Sequence, residues 1–188
     1  MKAWLARNLL ALFGWKTEGW PPNIKKFIMV AAPHTSSWDA VLLVLMATVY
    51  GIRIRWMMKA EMFRGPAGPF FKALGAMPID RSKRHNTVQQ CIDQFNQSEE
   101  LILLIPPEGT RKAAKAWKSG FYHIAQGANV PLALAFLDFK RKRGGFGPTV
   151  YLTDDPDADM ATIRAFYTGI VGKYPEKFGP IELELKKQ

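Results

Sequence analysis

A chain of 188 residues with 48% hydrophobic and 22% charged side chains fits one domain able to bury a substantial core. Its single cysteine, Cys91, excludes an internal disulfide and every multi-cysteine zinc site. Lys and Arg outnumber Asp and Glu by 26 to 16, and the resulting net charge of +10 favours a polyanionic partner: nucleic acid, an anionic membrane face or a phosphorylated substrate.

Residues 1–16, MKAWLARNLLALFGWK, join a basic start to an apolar stretch. A cleavable signal needs small residues next, and Trp15, Lys16, Glu18 and Trp20 stand there instead, so the segment is expected to be retained. Trp4, Leu5, Leu9, Leu10, Leu12, Phe13 and Trp15 give it a broad apolar surface flanked by Lys2, Arg7 and Lys16. That pattern suits an amphipathic helix lying in the interface of an anionic membrane; packing on the protein's own core is the alternative. The expected division is a docking helix over 1–16 and one domain over 17–188. Ala40 to Ile52, an uncharged and mostly apolar run of 13 residues, is shorter than the ~17–25 residues a membrane-spanning helix needs.

Further along, Ile28–Ala32 reads as a buried strand ended by Pro33, and Trp38–Tyr50 as a helix entered through Ser36, Ser37 and Asp39. Ile52–Met58 alternates as a strand does. Gly75–Arg81 reads as a short apolar strand delivering Asp80 and Arg81 to its end. Val88, Cys91, Ile92 and Phe95 recur at helical spacing and predict a helix over Ser82–Gln97. Leu101–Ile105 is a buried strand ending in Pro106-Pro107. A helix through Phe121–Ala128, a strand over Val130–Leu137 and a late helix marked by Met160, Ile163, Phe166, Ile170 and Val171 complete the pattern. Near-continuous apolar strands alternating with helices predict a single-domain α/β fold, a mixed, mainly buried sheet flanked by helices.

Three polar clusters fall at strand ends, where sites gather in such folds. In Pro33-His-Thr-Ser-Ser-Trp-Asp39, His34 and Asp39 lie about 140° apart on an ideal helix and would not share a face. With His34 in the loop and Asp39 in the first helical turn, the carboxylate can fold back to fix the imidazole tautomer and stabilise the imidazolium. In Pro107-Glu108-Gly109-Thr110-Arg111, Gly109 admits a ligand close to the backbone and Arg111 can grip two phosphate oxygens. Glu108 could orient that arginine or receive a substrate hydroxyl. Asp80-Arg81 form the third cluster. Each alone has a bland reading: a helix-dipole aspartate, a Pro-Gly turn and a strand cap.

Together and in this order, the clusters resemble the motif blocks of the glycerolipid acyltransferase family, which includes 1-acylglycerol-3-phosphate acyltransferases. His34 and Asp39 match its H-x4-D block, Asp80-Arg81 the end of G-x-x-x-x-D-R, and Pro107–Arg111 its P-E-G-T-R block. Asn129–Leu134 resemble the apolar fourth block, with Ala135 where a second proline is usual, and Lys118-Ser-Gly120 falls where the family places similar residues. The resemblance implies transfer of an acyl group from acyl-CoA or acyl-carrier protein to a lysophospholipid hydroxyl, with His34 as base and Asp39 as its support. Arg81 and Arg111 would hold the acceptor phosphate, and Glu108, Gly109 and Thr110 would complete the substrate site. It implies no metal and no cofactor beyond the thioester co-substrate, and a place on the cytoplasmic face of a membrane as a peripheral protein. Trp38 in the first block and Lys112 where Ser is frequent leave open a different acceptor, such as a lyso-aminolipid or glycolipid. A non-catalytic lipid-binding protein on the same fold is the remaining alternative.

Other features read as structure. His85 and His123 lack partner patterns. Asp155, Asp157 and Asp159 fail as a calcium loop, because Met160 and Phe166 occupy the positions of the required Gly and Glu, and suit a helix start instead. Lys140–Arg143 followed by Gly144-Gly145 reads as a solvated loop or a contact with anionic head groups. Aromatic residues do not interleave with the basic ones as base stacking requires, so nucleic acid is not the expected partner. No G-x-S-x-G elbow is present and Cys91 falls on an apolar helical face, so direct transfer without an acyl-enzyme is expected.

Overall fold

The computed structural model describes residues 1–80 and 84–184. Its strands are β1 (Lys16–Glu18), β2 (Lys26–Ala32), β3 (Ile54–Lys59), β4 (Ala76–Ile79), β5 (Leu101–Ile105), β6 (Leu132–Asp138) and β7 (Arg143–Val150). Among the described residues they form one sheet in the order β1-β7-β6-β2-β5-β3-β4, parallel throughout except for the antiparallel β6–β7 pair. Helices α1 (Lys2–Leu12), α2 (Trp38–Tyr50), α3 (Gly68–Leu74), α4 (Arg84–Gln97), α5 (Gly120–Ala128) and α6 (Pro156–Tyr167) connect and cover it. The expected mixed, helix-flanked α/β fold is the one observed.

The continuous apolar character of β2 follows from helices on both its faces. Successive side chains point to opposite sides, so Ile28, Val30 and Ala32 enter a core shared with α4, α5 and α6, while Phe27, Met29 and Ala31 enter a second core against α1 and α2. The buried Tyr167 hydroxyl on α6 is shared between the main-chain oxygens of Val30 (2.8 Å) and Ala135 (3.1 Å), tying that helix to β2 and β6.

Helix α1 divides its apolar residues between two surroundings. Ala6, Leu10 and the following Trp15 are buried, whereas Trp4, Leu5, Leu9, Leu12 and Phe13 face solvent. No helix among the described residues is long and apolar enough to cross a membrane.

Three local expectations change. Arg143-Gly144-Gly145 opens strand β7 instead of continuing a loop; a Cβ at Gly145 would collide with the main chain of Glu18, so glycine there lets β7 approach β1. The basic run before it has internal partners: Arg141 Nε donates to Asp138 Oδ2 at 2.6 Å and Lys142 Nζ to the Phe13 carbonyl at 3.1 Å. The late helix stops at Tyr167, before Gly169 at φ +88°, so Ile170 and Val171 lie beyond it. Its start is as expected: Asp155 caps it by accepting the N–H groups of Asp157 and Ala158.

Candidate active site

Because β2 and β5 are parallel neighbours, the loops after them emerge side by side at one edge of the sheet. That topology brings His34 and Glu108 together across 74 residues of sequence. His34 Nδ1 lies 3.2 Å from Asp39 Oδ2. The same oxygen accepts the main-chain N–H groups of Thr35 and Ser36, each at 2.9 Å. Asp39 is 1% exposed and held in place by two main-chain donors, so its carboxylate beside Nδ1 can favour the imidazole tautomer that leaves the Nε2 lone pair free.

The P-E-G-T-R block closes on this turn. Arg111 Nη1 donates to Ser37 Oγ, which places the guanidinium beside the start of α2. Ser36 Oγ accepts from the Trp38 N–H at 3.0 Å, so Ser36 provides the expected capping, while the Ser37 side chain makes no cap bond. Gly109 adopts φ +65°, a conformation that favours glycine, and Gly109 and Thr110 are exposed on the same loop. Glu108 points the other way. It is 1% exposed, its Oε1 accepts the His34 main-chain N–H at 2.7 Å, and its Oε2 is buried without a hydrogen-bond partner. Burial pushes its carboxyl up to about 7, with a nearby Asp39 adding to the rise and His34 opposing it. Asp80 is exposed at the end of β4, where its N–H and carbonyl pair with the Gln90 amide; Arg81, Ser82 and the side chain of His85 lie outside the described residues.

A cavity of about 690 Å³ opens beside these groups. His34, Gly109, Thr110, Arg111 and Lys118 line it together with Leu43 and Val44 of α2, Ile54 and Trp56 of β3, and Phe121 and Ile124 of α5. Arg111 and Lys118 are exposed cations on its wall, and Leu43, Ile54, Phe121 and Ile124 are its buried apolar lining. Glu108 is not among the lining residues. Lys118, to which the sequence assigns no site role, also lines the cavity, and its Nζ pairs with Glu184 Oε2 at 2.8 Å. Its only sequence signal is the Lys118-Ser-Gly120 run beyond the main block. An imidazole base beside two cations and an apolar cavity can deprotonate a hydroxyl, hold an anion and receive a hydrocarbon chain.

The chain resembles, with a TM-score of 0.60 and 15% identity, the crystal structure of the 1-acyl-sn-glycerophosphate (LPA) acyltransferase, PlsC, from Thermotoga maritima; the match covers 90% of this chain and 77% of that one. A search of curated proteins gives no match. A family model described as Acyltransferase matches residues 18–133, more than half of the chain and a span that contains His34, Asp39 and the whole 107–111 block, so the chain belongs to the acyltransferase family.

Proposed function

We propose that this protein transfers a fatty acyl group from acyl-CoA or acyl-carrier protein to the hydroxyl of a lysophospholipid such as 1-acylglycerol-3-phosphate. The observation that carries the reading is the His34–Asp39 pair at the opening of an apolar cavity, with Arg111 beside it. His34 Nε2 takes the proton of the acceptor hydroxyl as its oxygen attacks the thioester carbonyl. The C–S bond then breaks, and the imidazolium returns the proton to the departing thiolate. Asp39 stabilises the imidazolium between these two transfers. General-base assistance contributes about 10²–10⁴-fold, and holding both substrates in line supplies much of the remainder. Arg111, together with Arg81, grips the acceptor phosphate, and the apolar cavity holds the acyl chain. Gly109 and Thr110 border the same opening. The reaction as written needs no metal or cofactor.

The substrates are amphiphiles, and the exposed apolar face of α1 suits a peripheral position on the cytoplasmic face of an anionic membrane. Thiol release from acyl-CoA, measured against a panel of lysophosphatidate, neutral lysolipids, lyso-aminolipids and lysoglycolipids, tests the reading. It requires release that depends on acceptor and is fastest with lysophosphatidate. Preference for an acceptor without a phosphomonoester would reassign the substrate, and silence across the panel would leave a lipid-binding protein.

A further inference from the structure

We propose that Glu108 is a positioning residue for His34: from the end of β5 its carboxyl anchors the main chain that carries the imidazole, and it does not bind the acceptor. The proposal rests on His34 being the base.

Three consecutive main-chain N–H groups in the turn after β2 are donated to two carboxylates. Those of Thr35 and Ser36 go to Asp39, three or four residues ahead, and hold the turn to itself. Only the His34 N–H reaches across the sheet, to Glu108 Oε1 at 2.7 Å. The Asp39 bonds therefore set the shape of the turn, and the Glu108 bond, from a buried position, joins the Arg111–Ser37 contact in fixing where the turn sits relative to the loop that carries Arg111. Base and anion grip are thereby registered to each other through a residue that touches neither substrate. Burial of the Glu108 carboxyl and its absence from the cavity wall argue against direct contact with an acceptor. A misplacement of about 1 Å at a reacting group costs on the order of 10²-fold in rate, so a lost anchor should appear in kcat.

The carboxyl also has a titration that an amide lacks. Burial pushes it up to about 7. The titratable groups that face it are His34 on the turn, Asp39 on α2 and the Tyr167 hydroxyl on α6. The ionised form is the stronger acceptor, so the anchor tightens as pH rises through that value.

The test compares Glu108→Ala and Glu108→Gln in the full chain, with acyl-CoA and lysophosphatidate as substrates and the His34 main-chain amide followed by NMR. Glu108→Ala should lower kcat by about 10–100-fold with the acceptor KM within roughly twofold. It should also shift the His34 amide proton upfield. Glu108→Gln, whose side-chain oxygen can accept the same N–H, should recover most of kcat, keep the amide shift and show a flatter pH profile around 7. A raised acceptor KM with kcat retained, or an unmoved His34 amide in Glu108→Ala, would overturn the assignment. If Glu108→Ala does not fold, the nearly isosteric Glu108→Gln decides alone, because an acceptor-KM defect there also refutes anchoring. The amide shift is read without turnover, so failure of the proposed reaction is distinguishable from failure of the anchor.

Discussion

Replacing Asp39 by Asn removes one charge and leaves most of the geometry. Asp39 Oδ2 accepts two main-chain N–H groups at 2.9 Å, and an Asn oxygen in the same place can accept both. Asp39→Ala would instead strand both donors at about 1–3 kcal/mol each, confusing loss of charge with loss of fold. The carboxylate lies 3.2 Å from His34 Nδ1. At that separation and an effective dielectric near 20, attraction between carboxylate and imidazolium is about 5 kcal/mol. Converted to a rate, this caps the effect near 10⁴-fold, and only part of the imidazolium charge has developed in the transition state. Asp39→Asn should therefore lower kcat by roughly 10²–10⁴-fold. The melting temperature should fall by only a few degrees, because the turn keeps its acceptor. Single-turnover thiol release alongside thermal melts makes the comparison. A well-folded Asp39→Asn chain within about threefold of the wild-type rate would refute the claim that Asp39 acts through charge on His34.

Arg111→Lys keeps the charge and loses the bidentate fork, so the KM for a phosphate-bearing acceptor should rise, while the KM for acyl-CoA stays near its original value. For the membrane, substituting Trp4, Leu12 and Phe13 by Ser should abolish flotation with anionic vesicles and leave the melting temperature unchanged, since all three are exposed. Deleting residues 1–16 is a poorer test because it also removes the buried Leu10 and Trp15. Stability should carry the signature of Glu108. Its carboxyl rises from an ordinary 4.5 to about 7 on folding, so between those values the folded chain holds a proton that the unfolded chain has released. Its contribution should be greatest below about pH 4.5 and decline until about pH 7. Glu108→Gln should flatten that decline in denaturant titrations.

Where a segment's own pattern determines its structure, the sequence was enough. Helix α2 and strand β5 run over the residues that apolar runs and flanking polar groups delimit, and His34 and Asp39 meet because both sit within one turn. Strand β1, Lys-Thr-Glu, is exposed along its length and offers no apolar signal; it is a strand because β7 lies beside it. Strand β7 was hidden by its glycines and Pro148, which read as loop chemistry and serve here as clearance for neighbours. Short α3 follows Pro66 and is mostly exposed, so no periodic face announces it. At the site, residue types were legible but their partners were not. Nothing local indicates that Glu108 turns inward to the main chain of His34, or that Arg111 meets Ser37, since both contacts depend on β2 and β5 being neighbours.

The central claim is that His34 activates the acceptor hydroxyl. Its most direct measurement is turnover of the purified His34→Ala chain with acyl-CoA and lysophosphatidate, paired with a thermal melt to establish folding. His34→Ala should keep an intact fold and lose at least about 10²-fold in acceptor-dependent thiol release, the scale of general-base assistance. A folded His34→Ala chain turning over at the wild-type rate would contradict it.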